Sequence, residues 1–414
     1  MNTQSFIKEM KEINKKIQIY LDDQENSESN YKILINLFDN FKIKEDSLKI
    51  REIIHLLSIK YKYHETNSSS YPKIEQILIY LKDAIKQLFT KDDIYCIIRR
   101  NQILLHWFFN ENIISMNRLI ISEVNDMSFS NEIQSYLNPS LDHKKTGVSF
   151  GGNLEQYNQK FSKICQIILK DSIDEFTSYI SQNEMSLTDL IIDPEDIFEE
   201  EMTIIEYSAK HKSIQIFKYL VSKEIELNSK IWDYAIENNC IEMVQILAQN
   251  KIIPKSNNND NPYLSALYES IKHHNNDIAN YIIDHLIDHS KIDKTFFYSI
   301  LEFHNFEFFP DDFSNLDMHK LFSSFCQYDY SFLVKHFLNE VDVDVCQENL
   351  ITSIGEKNVE IVRLLLSKPN IDVNINDDNT FMTPLCMAAE AGICDIMKFL
   401  LSNPKIDVNQ KILK

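Results

Sequence analysis

Glycine and proline are scarce in this sequence, with 5 and 9 residues in 414 positions. A fold made of tight β-hairpins needs glycine wherever φ is positive, so the scarcity excludes an all-β sandwich or barrel. No stretch approaches the ~18 consecutive apolar residues of a membrane span. The densest run, Ile103-Leu104-Leu105-His106-Trp107-Phe108-Phe109, is short and predicts a buried helix. Between Met1 and Tyr20 there is no apolar core followed by a small-residue cleavage site, so no signal peptide is read there. Without one, Asn67-Ser68-Ser69 carries no weight as a glycosylation acceptor. The cysteines at 96, 165, 240, 326, 346, 386 and 394 are never spaced as CxxC, which predicts reduced, packed thiols in a cytoplasmic protein. Walker, GxGxxG, GxSxG and HExxH motifs are missing. The expectation is therefore a non-enzyme without cofactor or metal.

Positive charge is also in short supply, with 42 Lys and Arg against 62 Asp and Glu, a net charge of −20. Such a chain repels phosphate backbones, which argues against nucleic acid or an anionic membrane as its main partner. The cluster Lys8, Lys11, Lys15 and Lys16 reads as a solvated helix face. What the chain does have is core material: 44% apolar and 25% charged residues describe an ordered protein.

Helical spacing marks Ile53–Tyr61, Ile74–Phe89 and Ile94–Phe109; within the second, Ile74, Leu78, Leu81, Ile85 and Leu88 share one face. Three of the glycines, Gly147, Gly151 and Gly152, cluster in a predicted interdomain loop. Beyond it the sequence repeats itself. Val359–Asn374 (VEIVRLLLSKPNIDVN) and Cys394–Asn409 (CDIMKFLLSNPKIDVN) lie 35 residues apart and share about nine of sixteen positions. The fullest unit runs from Thr383-Pro384-Leu385-Cys386-Met387-Ala388-Ala389-Glu390-Ala391-Gly392 into Ile396-Met397-Lys398-Phe399-Leu400-Leu401. Thr383 suits an N-cap and Pro384 the first helical position. Gly392 suits a left-handed helix end, and Ile396, Leu400 and Leu401 an apolar stripe.

This unit resembles the ankyrin repeat, with its TPLHxAAxxG opening and IVxxLL second helix; Cys386 stands where the family usually has His. Earlier units align on Ile361, Leu333, Ile278, Met243 and Ile216. The position of Gly392 then falls on Lys357, Asp329, His274, Asn239 and Lys212. Asn, Asp and His tolerate a left-handed turn; the two lysines make those helix ends less secure. At the small Ala388 position stand Ser353, Phe325, Ser270, Ala235 and Ser208, and Phe325 predicts irregular packing. A degenerate unit is expected around Phe296–Phe309, and an irregular opening unit at Asp171–Ile180. Lys163–Asn250 also resembles a large protist family, best represented in trichomonads, whose helical region precedes and overlaps its ankyrin array.

The expected fold is all-α: an ankyrin-type right-handed α-solenoid of roughly six to eight helix-turn-helix repeats, preceded by an N-terminal helical domain. Its segments are 1–145 (helical domain), 146–160 (linker), 161–255 (irregular repeats), 256–340 (degenerate repeats) and 341–414 (regular repeats). No coiled coil is expected. The resemblance implies a protein-binding module or scaffold, and the acidic charge favours a partner with basic patches. Candidate contact residues are Phe381 and Met382 before the Thr383 cap, Met387 and Glu390 on the following helix, and Tyr234 and Glu237 on its counterpart. The rival reading is a self-associating or autoinhibited structural protein, with the N-terminal domain folded back over the concave face; an enzyme in residues 1–145 is a remote third. His285 and His289 read as a polar helix face, Asp193–Glu201 as a solvated acidic loop, and Trp107 and Trp232 as core. No polar capping unit follows the last repeat, so its end is expected to be covered by the tail, by association or by further chain.

Overall fold

The computed structural model describes residues 3–23, 26–63, 71–114, 163–192, 201–256, 261–288, 292, 294–310, 313, 316–339, 343–369, 371–377 and 380–410. The glycine-rich loop, the 146–160 linker, Asn67-Ser68-Ser69, His289 and most of the acidic loop lie outside them. Two compact units emerge, one of Met1–Leu141 with Ile300–Lys414 and the other of Asp142–Ser299. The fold is all-α, with one short strand pair among the described residues.

The first unit begins with helices α1 (Thr3–Asp22), α2 (Ser27–Asn40), α3 (Ser47–Tyr63), α4 (Tyr71–Leu88), α5 (Lys91–Ile98) and α6 (Gln102–Asn110). On α1 the residues Phe6, Ile7, Met10, Ile13, Ile17, Tyr20 and Leu21 are buried, a stripe of helical period. On α4 the predicted face holds for Ile74, Leu78, Leu81 and Ile85, whereas Leu88 is exposed. The pattern Ile94–Phe109 is broken into two helices at Arg99–Asn101. Asn101 caps α6 by accepting from the Leu104 amide (3.0 Å), and its amide nitrogen donates to the Ser58 carbonyl on α3 (2.8 Å).

The second unit holds helices α7 (residues 163–169) and α8 (Ile173–Gln182), strands β1 (Leu190–Ile192) and β2 (Glu201–Thr203), and three further helix pairs. These are α9 (Ile204–Lys210) with α10 (Ile214–Ser222), α11 (Lys230–Glu237) with α12 (Ile241–Gln249), and α13 (Tyr263–Lys272) with α14 (Asn276–His285). The strands pair antiparallel with Leu190 opposite Thr203, flanking the acidic loop. Thr203 and Glu206 form a reciprocal capping box at the start of α9.

Helix α15 (Lys294–Glu302) holds the division between the units. It is followed by a single 3-10 turn at Phe306–Phe308, and this is the degenerate unit expected around Phe296–Phe309. The first unit then resumes with α16 (Met318–Gln327) and α17 (Ser331–Phe337), α18 (Val343–Gly355) and α19 (Val359–Leu366), and α20 (Pro384–Glu390) and α21 (Cys394–Ser402). Phe325 is fully buried in an aromatic cluster with Phe313, Phe337 and Tyr330. That is the irregular packing expected at this position.

One turn is repeated throughout. Lys212, Asn239, His274, Asp329, Lys357 and Gly392 all have positive φ, between 48° and 65°, and so do Asp171 (51°) and His304 (47°). The lysine positions adopt the turn as firmly as the others, because paired backbone bonds enforce it. In α11, for example, the Asn239 amide donates to the Ile236 carbonyl and the Cys240 amide to the Ala235 carbonyl, a Schellman motif. The same pair recurs at Lys212, His274, His304, Lys357 and Gly392.

The residue after the turn then staples neighbouring pairs together. Ser213 donates to the Ile168 carbonyl (2.6 Å), Tyr330 to Leu301 (2.9 Å) and Asn358 to Cys326 (2.6 Å), and Asn275 donates likewise to Ile236. Each acceptor lies near the end of the preceding pair's first helix, where carbonyls run out of helical partners, and Ile168, Ile236 and Leu301 accept a second hydrogen bond from their own turn.

Candidate functional site

The finger before α20 is a compact turn. The Asp377 amide donates to the Met382 carbonyl (2.9 Å), and the Phe381 amide to the Asp377 carbonyl (2.7 Å). The Asp377 carboxylate accepts from both the amide and the hydroxyl of Thr380 (2.7 and 2.6 Å). Thr383 caps α20 by accepting from the Cys386 amide (3.2 Å), with Pro384 in the first turn. This geometry holds Phe381 in the left-handed region, at φ 58°, with 49% of the residue exposed. An aromatic side chain there is sterically disfavoured, and such strain concentrates where a side chain is displayed for contact. Met382 and Met387 are half-buried and Glu390 is exposed. Phe381 and Met382 thus share the finger, while Met387 and Glu390 share α20.

Tyr234 and Glu237 both lie on α11, in the Asp142–Ser299 unit. Glu237 borders a cleft of about 400 Å³ with Trp232, Asp233, Ile236, Lys255 and Glu269. Trp232 is fully buried, as expected of a core residue, and donates through its ring nitrogen to the Ile252 carbonyl (3.0 Å). Trp107 is half-buried. Desolvation, with repulsion from Asp233 and Glu269, raises the Glu237 carboxyl above its ordinary range. Desolvation and Glu269 do the same to Asp233. Tyr234 is also raised, chiefly by desolvation.

The N-terminal helices do fold back, but their main contacts are with second helices and with the turns between paired helices. Helix α1 packs on the Phe306–Phe308 turn and on α17, and Phe6 stacks on Phe332 at 4.0 Å. Helix α5 packs on α19 and α21. Arg99 donates to the Glu356 carbonyl (2.9 Å), and Arg100 pairs with the Glu356 carboxylate (2.7 Å). The Asp92 carboxylate accepts the Asp395 amide at the start of α21 (3.3 Å). First helices α16, α18 and α20 stack on one another and keep an exposed face that carries His319, Lys320, Gln327, Glu348, Thr352 and Glu390.

The sequence had no local signal for this seat. Its elements are joined by contacts such as Arg99 to Glu356, which are 257 positions apart. Among the described residues, no helix is long and apolar enough to cross a membrane.

Residues 323–412 match the family of ankyrin repeats, in three copies. No curated protein matches the chain. The match spans α17 to α21 and the second half of α16; the seats of α5 on α19 and α21 and of α1 on α17 fall within it, whereas the turns at His304 and Phe306–Phe308 precede it.

Proposed function

We propose that this protein is a non-catalytic, cytoplasmic binding module that recognises a protein partner through the first-helix and finger face of its ankyrin repeats. The observation that carries this reading is Phe381, strained, half-exposed and held at the finger tip by the Asp377 turn. The open face of α16, α18 and α20 lies beside second helices already occupied by α1 and α5. A rigid surface ordered before binding loses little entropy on association. The net charge of −20 favours a partner with basic patches through steering of encounters. The likeness of Lys163–Asn250 to the trichomonad-type family supports an interaction role and suggests no reaction.

Affinity capture from the source cell's lysate tests the proposal, comparing wild type with a Phe381→Ala, Met387→Ala, Glu390→Ala variant. The expected result is a partner retained by wild type and lost by a variant of unchanged helicity. Equal capture by both would move the binding surface away from the finger and α20.

A further inference from the structure

Helix α3 reaches the array with charged side chains that are almost fully buried. Arg51 donates Nη1 to Asp329 Oδ2 (2.8 Å) and Nη2 to both carboxylate oxygens of Asp93 on α5 (2.5 and 2.7 Å). His55 Nε2 lies 3.0 Å from the same Asp329 oxygen, and His304 Nδ1 lies 3.0 Å from Glu52 Oε2. The His304 ring stacks between His55 and Tyr330, with centroids 4.5 Å away on each side. Asp329 and His304 are themselves left-handed turn residues, so α3 reads the turns of two successive pairs. Glu360 and Arg363 on α19 also act on Asp93.

The hydrogens can be assigned by elimination. The His304 ring donates to the Tyr328 carbonyl, and with Nδ1 at Glu52 that donor is Nε2. A neutral ring then offers Nδ1 as an acceptor, and the hydrogen facing it comes from a protonated Glu52 carboxyl. The other Glu52 oxygen, Oε1, is buried with no hydrogen-bond partner among the described residues. Ionising Glu52 would therefore leave a poorly solvated carboxylate close to the Asp329 anion.

We propose that the seat of α3 on the turns at His304 and Asp329 is a proton-gated latch, in which one proton shared by Glu52 and His304 holds the N-terminal helices on the array.

The linkage has a definite sign. Burial, with the Asp329 charge adding to it against His55 and Arg51, pushes Glu52 up to about 8. Burial pushes His304 down to about 4, and burial with the neighbouring His304 lowers His55 despite Asp329. Between the ordinary carboxyl value of 4.5 and about 8, docked Glu52 holds a proton that released Glu52 does not. Rising pH therefore favours release across that window. The histidines act oppositely below their ordinary 6.5, where released rings charge more readily than docked ones. Below 6.5 the lowering of His304 cancels Glu52, and the lowering of His55 adds a drive to release. The latch is tightest near pH 6.5.

Hydrogen exchange on the full chain, corrected for the intrinsic pH dependence of exchange, tests this. The opening constant of the turns at His304 and Asp329 should rise roughly fivefold between pH 6.5 and pH 8, as the released histidines lose their charge and Glu52 alone sets the slope. Helices α11 and α12 should not follow. Glu52→Gln, which cannot ionise yet keeps a donor for His304, should flatten the alkaline rise, and His55→Gln should flatten the acid one. A wild-type opening constant that is flat from pH 6.5 to 8.5, or that rises equally in α11 and α12, would overturn the latch even if a variant failed to fold. So would a Glu52→Gln variant that keeps the wild-type slope.

Discussion

Phe381 shows at the residue scale how display and stability oppose each other. The Asp377 turn forces φ to 58°, where a Cβ is crowded by the backbone, and the ring gains little burial in return at 49% exposure. Glycine adopts this conformation without the steric cost. Phe381→Gly is therefore expected to stabilise the finger unit by about 1 kcal/mol in urea denaturation, less whatever the glycine adds to unfolded-chain entropy. The same variant should lose partner capture. A destabilised Phe381→Gly would mean that the ring contributes packing to the finger and is not held there for contact. The sequence indicated Phe381 by its place before the Thr383 cap. It could not indicate the strain, which arises from hydrogen bonds at Asp377 and Thr380.

Among the elements, the left-handed turns were the most legible part of the fold. Asn239, His274, Asp329 and Gly392 are residue types that tolerate positive φ, so alignment and residue chemistry agreed there. Lys212 and Lys357 were legible by alignment alone, since their turns are held by backbone bonds that no side chain announces. The staples were there to be read as well: Ser213, Asn275 and Asn358 each follow the turn residue directly, and a polar side chain at a recurring position inside an apolar repeat needs a partner. Asn275 is fully buried, so Asn275→Ala removes a buried hydrogen bond and leaves the Ile236 carbonyl with the Asn239 amide alone. The expected cost is about 1–2 kcal/mol, with about the same for Asn358→Ala. The two should add in the double variant, because the staples share no partner. Unfolding curves that shift by much less would place water at the freed carbonyls.

For the whole molecule, the N-terminal helices change what kind of solenoid this is. A stack in which each pair touches only its neighbours has a stability that sums over adjacent contacts, and it frays from a free end. Here α3 holds the turns at His304 and Asp329, α1 packs on the Phe306–Phe308 turn and on α17, and α5 reaches α19 and α21, so distant pairs share one support. The pair α20 and α21 has most to gain from it. Val408 is 60% exposed there, whereas its counterpart Val373 is fully buried one unit earlier. Its tie to α5 runs through the Asp92 carboxylate at the start of α21 and through Asp395, which Thr90 and Lys398 hold below the usual carboxylate range against the effect of burial. A carboxylate at a helix N-terminus meets both an unsatisfied amide and the positive end of the helix dipole. Asp92→Ala should therefore cost about 1 kcal/mol locally, a roughly fivefold rise in the opening of α20 and α21 by hydrogen exchange. Protection of α16 and α17 should be unchanged, because their hold on the N-terminal helices runs through α1 and α3. Loosening that spread equally from α16 to α21 would instead mean that α1 to α6 act as one rigid cover, released from every turn at once.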